Sequence, residues 1–231
     1  GIDIIVHVGA NCLTEAAQLA AHAEKNQAKA VSMIAPSYFK PRTLSDLVAS
    51  CAMVAKAAPR TPFYYYDIPG MTGIGGFPVD ELLKAASPII PNLAGVKYSH
   101  PDLDAMRRAQ ALEGGRFDLP YGIDERFLAA LRAGATAGVG STYNFNPGPL
   151  LRAIAAHGKG DAGLAETEQA KVQPVVDILA KRGYMGAAKA LMGHLGVPLG
   201  PARLPNGNPD AAEIKQMLGE LEAIGFFSWN F

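Results

Sequence analysis

Pro62-Phe63-Tyr64-Tyr65-Tyr66-Asp67-Ile68-Pro69, then Pro78 to Ala86, then Leu93-Ala94-Gly95-Val96-Lys97-Tyr98 carry the pattern from which the architecture follows. The outer two are apolar runs rich in Tyr, Phe and Val, too short for stable isolated helices. These are the marks of buried strands. The segment between them is amphipathic and helical. Strand, helix and strand in that order imply a right-handed βαβ unit and a parallel pairing. The pattern continues outward in both directions. Further apolar runs cover Ile4 to Val8, Ala30 to Ala35, Phe117 to Ile123 and Ala137 to Ser141. Helical segments alternate with them. Thr14 to Lys25 carries Leu19, Ala20 and Ala23 at helical spacing, with Thr14 as the expected N-cap. Ser45 to Ala58 sets Leu47, Val48, Cys51 and Val54 on one face. Asp102 to Leu112, Glu125 to Arg132 and Pro149 to His157 complete the series.

After His157 the strands stop. Asp161 to Lys181, Met185 to Leu195 and Asp210 to Ala223 read as helices only, punctuated by Gly183 and by the Pro198 to Pro209 stretch. The expected organisation is therefore α/β over 1–160 and a helical extension over 161–231. A repeat of roughly 22 to 35 residues per βα unit suits a (β/α)8 TIM barrel or a doubly wound sheet. Six strands are expected where a barrel needs eight. The chain reads as a barrel short of about two units at its N-terminus.

Composition excludes several classes. The 231 residues carry 21 Lys and Arg against 21 Asp and Glu, so no global field draws the chain to nucleic acid or to an anionic membrane. With 49% hydrophobic and 18% charged residues the chain is globular, not disordered. It has no apolar run of about 18 residues and no signal-peptide pattern at Gly1 to Val6, so the expectation is a cytoplasmic protein without a membrane span. Cys12 and Cys51 are read as buried thiols of a reducing compartment. The stretch Gly70 to Gly76 fails the dinucleotide fingerprint, because Pro78 takes the last glycine slot. Gly134 to Gly140 stands in the wrong order of helix and strand. The five histidines show no metal-ligand spacing, so no metal is expected.

Three strand ends carry candidate chemistry. Lys97 stands near the end of an apolar strand, where an ammonium is costly to desolvate. It is either an edge lysine reaching solvent or an amine that attacks a carbonyl. Alternation places Tyr64 and Tyr66 on one face and Tyr65 on the other. They are core aromatics, or Tyr66 relays a proton. Asp124 and Glu125 follow Gly122-Ile123 at the next strand end but one. They accept hydrogen bonds from sugar hydroxyls, or they cap and open a helix, or both.

Tyr66-Asp67-Ile68-Pro69, Gly95-Val96-Lys97, Gly122-Ile123-Asp124-Glu125 and Gly140-Ser141-Thr142-Tyr143-Asn144 resemble, in order and spacing, the N-acetylneuraminate lyase / dihydrodipicolinate synthase family. Phe63 to Pro69, Val197 to Pro201 and Arg203-Leu204-Pro205 resemble its animal-type lyase branch. The resemblance implies a (β/α)8 barrel with a helical extension, a homotetramer, small-molecule substrates (sialic acid and pyruvate), and no cofactor. It implies that Lys97 forms a Schiff base with pyruvate and that Tyr66 shuttles the proton of carbon–carbon cleavage. Tyr38 matches an aromatic pair that completes the relay across a subunit contact, although Phe39 lacks the second hydroxyl. Ser99, Gly122, Asp124, Glu125 and Ser141 match the residues that line and hold the sugar chain. The synthase's arginine after its Y-N-V-P motif has no counterpart in Pro69 to Gly73, which favours the lyase. The runner-up is another pyruvate-dependent aldolase of 2-keto-3-deoxy sugar acids. The family's carboxylate-binding loop, G-[GST]-[ST]-T-G-E, does not occur in this chain. The expectation is a partial sequence of a complete lyase, the alternative being an inactive truncated product.

Overall fold

The computed structural model describes residues 1–229. Two compact units emerge. The first holds Gly1–Ile123 and Arg132–Val139, the second Asp124–Leu131 and everything from Gly140 onward.

The first unit is built on a parallel sheet of β1 (Ile5–His7), β2 (Ala30–Met33), β3 (Phe63–Asp67) and β4 (Leu93–Tyr98), paired in that order. Bridges from Gly95 to Asp118, Tyr98 to Tyr121 and Tyr121 to Gly138 extend it to six strand positions, matching the six apolar runs. The last two positions form bridges and not full strands. Pro120 lacks an N–H to donate to a ladder, and Gly138 and Gly140 weaken the last run. The close approach of β4 to the fifth position needs Gly95, where a β-carbon would overlap the Asp118 carbonyl. Burial alternates with the pleat. Phe63 and Tyr65 are buried on the helix-covered face, with Val96 and Tyr98 of β4 also buried. β1 forms the edge, and its Ile5 is 53% exposed.

Helices α1 (Leu13–Lys25), α2 (Leu44–Ala55), α3 (Pro69–Thr72), α4 (Val79–Ala86) and α5 (Leu103–Gln110) connect the strands. Thr43 and Asp46 close a reciprocal capping box on α2, and Asp102 caps α5 through the amides of Asp104 and Ala105. Asn92 Nδ2 donates to the carbonyls of Ala55, Ala58 and Thr61, tying the entry of β4 to the end of α2. Three expectations are corrected. Cys12, not Thr14, is the N-cap of α1, and it caps with its backbone alone. The buried face of that helix is Ala16, Ala20 and Ala23, which leaves Leu19 half-exposed. Cys12 is exposed, because it stands before the helix, whereas Cys51 is buried and its thiol is pushed up to about 12 by desolvation. The single turn α3 had no periodicity to reveal it. Pro69 opens it and Gly73, at φ +63°, closes it in the left-handed region.

The second unit is helical, with α6 (Phe127–Arg132) reaching its last residue across the unit boundary. It continues with α7 (Pro147–Gly158), α8 (Ala162–Gln169), α9 (Val172–Ala180), α10 (Tyr184–His194) and α11 (Ala211–Ala223). Its main core joins Phe145, Val175, Leu179, Leu191, Met217, Leu221 and Phe226. The one helix expected over Asp161 to Lys181 is in fact two. Pro174 offers no N–H to the Ala170 carbonyl, and its ring would clash there, so a new helix starts with Pro174 in its first turn. Asp210 and Glu213 close a second capping box on α11. Among the described residues no helix is long and apolar enough to cross a membrane.

Glu168 is buried on α8 and bridges Arg152 at 2.9 Å and Lys171 at 2.8 Å. Burial alone would push its carboxyl up, but the hydrogen bonds from Lys171 and Arg152 outweigh that and hold it below the usual range. A depressed folded value stabilises the ionised state, so this contribution is present above about pH 4.5 and is lost as pH falls further. Glu168→Gln is expected to cost about 1–3 kcal/mol at neutral pH and to flatten that acid limb, as measured by urea unfolding at a series of pH values.

Candidate active site

The strands of the first unit end in a group of polar side chains. β3 and β4 pair with Tyr66 opposite Lys97 and Asp67 opposite Tyr98. Alternation turns Tyr64 and Tyr66 to one face of the sheet and Tyr65 and Asp67 to the other. Lys97 Nζ stands 4.0 Å from the centroid of the Tyr66 ring, in cation–π contact. The lysine is therefore not an edge residue reaching for solvent. It lies beside a phenol at the carboxyl ends of two neighbouring parallel strands, where α/β folds place their chemistry. Further toward the strand starts, the Tyr64 hydroxyl donates to Asp118 Oδ2 at 3.1 Å.

His7, at the end of β1, meets the Tyr66 ring edge-to-face with centroids 6.2 Å apart. Burial, and secondarily the charge of Lys97, lowers its pKa, so it stays neutral near pH 7. Nothing in the sequence marks His7, because a single histidine in a short apolar run has neither metal-ligand spacing nor a motif around it. Ser99 is buried beyond Lys97. Its N–H donates to the Asp67 carbonyl, and its Oγ has no hydrogen-bond partner. Gly122 is what allows the neighbouring chain to pass. A β-carbon there would overlap Ser99 Oγ and come within 3.1 Å of Lys97 Cε. Lys97, Tyr66, Ser99 and Gly122 are thus neighbours. Tyr38 stands elsewhere, on the segment after β2. It is 79% exposed, edge-to-face with Phe39, which is 84% exposed. Its N–H and that of Ser37 donate to Asn11 Oδ1. Among the described residues no hydrogen bond or ring contact joins Tyr38 to Lys97 or Tyr66.

The second unit gathers Asp124, Glu125 and Ser141. Asp124 and Glu125 open a 3-10 turn over Asp124–Arg126. Asp124 is buried, and its Oδ2 accepts from the Thr142 amide at 2.9 Å and the Thr142 hydroxyl at 2.6 Å. Its carboxylate thus holds a neighbouring loop, and its other oxygen, Oδ1, is buried without a partner. Gln169 donates to the Asp124 carbonyl and accepts from the Leu128 amide, fixing the turn. Gly140 leaves room for the Asp124 carboxylate, which any β-carbon there would overlap. Ser141 Oγ shares a 2.8 Å hydrogen bond with the Tyr184 hydroxyl of α10. Burial pushes the Tyr184 phenol up to about 12. Tyr143, whose hydroxyl is also buried and unpartnered, is raised by burial first and by the charges of Asp124 and Glu125 second. An orphaned carboxylate oxygen and an orphaned phenol in the same unit suit a ligand that both donates and accepts hydrogen bonds, as vicinal hydroxyls do. No local signal marks Tyr184, which comes from a helix 43 residues beyond Ser141. Among the described residues no three His, Cys, Asp or Glu side chains are grouped to hold a metal.

Residues 1–224 match the model of the dihydrodipicolinate synthetase family. The chicken protein named N-acetylneuraminate lyase is 38% identical over 224 residues, covering 96% of this chain and 72% of the relative. N-acetylneuraminate lyase A of Xenopus laevis is 40% identical over 206 residues, covering 88% of this chain and 67% of the relative. The solved structure of the Proteus mirabilis N-acetylneuraminate lyase superposes with a TM-score of 0.92 at 36% identity, over 97% of this chain and 76% of that one. That of the sialic acid aldolase from Aliivibrio salmonicida does so equally, covering 74% of its own chain. The parallel βα units, the strand-end lysine and the TIM-barrel relatives agree, and the chain belongs to the dihydrodipicolinate synthetase family.

Proposed function

We propose that this chain carries the catalytic machinery of a Schiff-base aldolase that cleaves N-acetylneuraminate reversibly to N-acetylmannosamine and pyruvate. The observation that carries the reading is the Lys97 ammonium lying 4.0 Å over the Tyr66 ring at paired strand ends. Relatives named N-acetylneuraminate lyase support the substrate. The Lys97 amine adds to the C2 ketone and loses water to give an iminium. The C3–C4 bonding pair then flows into that iminium, which becomes an enamine. The C4 hydroxyl gives its proton to the Tyr66 oxygen as the phenol passes its own proton to the substrate carboxylate, and C4 leaves as the aldehyde of N-acetylmannosamine. A proton returns to C3, and water releases pyruvate and the free amine. The covalent intermediate divides one hard cleavage into easier steps. His7, neutral beside Lys97, adds no second positive charge against the iminium.

Asp124, Ser141 and Tyr143, with Glu125, are assigned to the polyol chain. The unpartnered Asp124 Oδ1 and Tyr143 hydroxyl support this. Ser99 Oγ, also unpartnered, is assigned to the sugar beside the imine. The exposed Tyr38–Phe39 pair is assigned to a subunit contact of a homotetramer, on the strength of two adjacent aromatic rings left in water. The enzyme is assigned to the cytoplasm, where the buried Cys51 thiol stays reduced.

Incubation with pyruvate and borohydride is expected to leave one reduced adduct on the parent chain and none on Lys97→Ala, as read by intact mass. An adduct of equal yield on the variant would move the imine to another lysine. Tyr66→Phe should keep the adduct while turnover falls by about 10²–10⁴-fold, the usual worth of a general acid–base group. A panel of sialic acid and 2-keto-3-deoxy sugar acids then identifies the sugar. Ser141→Ala should raise KM for the preferred sugar by about five- to tenfold while leaving adduct formation with pyruvate unchanged.

A further inference from the structure

The face of β3 and β4 turned away from Tyr66 and Lys97 holds a cavity of about 170 Å³. It lies under α4 and α5, and its walls include Tyr65, Phe77, Val79, Tyr98 and His100. Two acidic residues, Asp67 and Asp102, line it, and Asp102 is engaged by the amides of Asp104 and Ala105. Among the described residues the Asp67 carboxyl has no hydrogen-bond or ion-pair partner, and burial pushes it up to about 7. The cation that reaches this neighbourhood is committed elsewhere. Arg108, whose charge is felt by Tyr98, forks onto Asp80 at 3.1 and 3.2 Å. The polar edges of the walls are also engaged in part. The Tyr98 hydroxyl donates to the Asp102 carbonyl at 2.7 Å, and His100 Nδ1 accepts from the Asp102 amide at 3.0 Å. The His100 ring stacks on Tyr98 with centroids 5.7 Å apart.

An unpaired carboxylate among aromatic rings is the chemistry that recognises alkylammonium ions. The rings present their negative faces, the carboxylate takes the N–H bonds, and the apolar wall takes the short chain. A buried carboxylate without a counter-charge costs free energy that an incoming cation recovers. The volume is well below that of a drug-sized pocket, so the occupant is small. We propose that this cavity is a binding site for a short-chain primary ammonium ion, held by Asp67 and enclosed by Tyr65, Phe77, Tyr98 and His100. The site is separate from the lysine site and does not rest on the aldolase reading.

The test is a calorimetric and ligand-observed NMR titration of the whole chain with n-propylammonium chloride at pH 8, in an amine-free buffer. Propan-1-ol is the uncharged counterpart. Saturable one-to-one binding of the ammonium is expected, at least tenfold tighter than the alcohol and at least tenfold weakened in Asp67→Asn. A parent chain that does not bind, equal affinity for the alcohol, or undiminished binding to Asp67→Asn would overturn the proposal. Should Asp67→Asn fail to fold, Ala105→Met, which fills the cavity from α5, takes its place. Loss of binding in that variant supports the site, and retained binding overturns it.

Discussion

Side chains on a strand alternate between two faces, so the register of one strand against the next decides what each face contains. Between β3 and β4 that register sets Tyr66 against Lys97 and Asp67 against Tyr98. A slip of β4 by one residue would turn Lys97 into the apolar layer beneath the helices, onto the face that holds Asp67. Several features hold the register. Asn92 ties the start of β4 to three carbonyls between the end of α2 and the start of β3. The Ser99 amide bonds the Asp67 carbonyl at the far end. Phe63 and Val96, both fully buried, would be exposed by a slip. Apolar burial, worth about 1.5–3 kcal/mol for a large side chain, therefore decides where the ammonium goes.

Glycines then determine how closely the remaining chain approaches that pair. At Gly95, Gly122 and Gly140 a β-carbon would overlap, respectively, the Asp118 carbonyl, Ser99 Oγ and the Asp124 carboxylate. These glycines serve closeness and not unusual backbone angles. Each trades strand or turn propensity for space beside a polar group. The unpaired Ser99 Oγ, Asp124 Oδ1 and Tyr143 hydroxyl are the counterpart of that economy of space. Buried polar atoms without partners are costly in a finished core, and they are at home where a ligand supplies the missing bonds.

Much of this was legible in the residues. The six apolar runs and the helices between them follow from hydrophobic period, because burial acts on short segments of chain. Lys97 stood out as a charge at the end of an apolar run, and Gly122 to Glu125 as a motif at another strand end. Less legible were features set by two segments at once. The break of the helix after Gln169 needed the reach of Pro174 back to Ala170. The exposure of Leu19 depended on which side of α1 the sheet covers. The bridges of the last two strand positions depended on Pro120 and on what its neighbours could donate.

Read alone, the residues set the alternation of strand and helix, the helical segments that follow residue 158 without further strands, and the residue types able to form an imine and move a proton. These are local properties, written in period, propensity and spacing. The packing of the folded chain alone rests His7 against Tyr66. It alone turned the Asp124 carboxylate onto Thr142 and brought Tyr184 to Ser141. It alone left Asp67 without a partner inside a cavity of its own. The physical reason is the same in each case. The segments brought together lie 18 or more residues apart, and their distance is set by how strands pair and helices pack, which no short window of sequence contains.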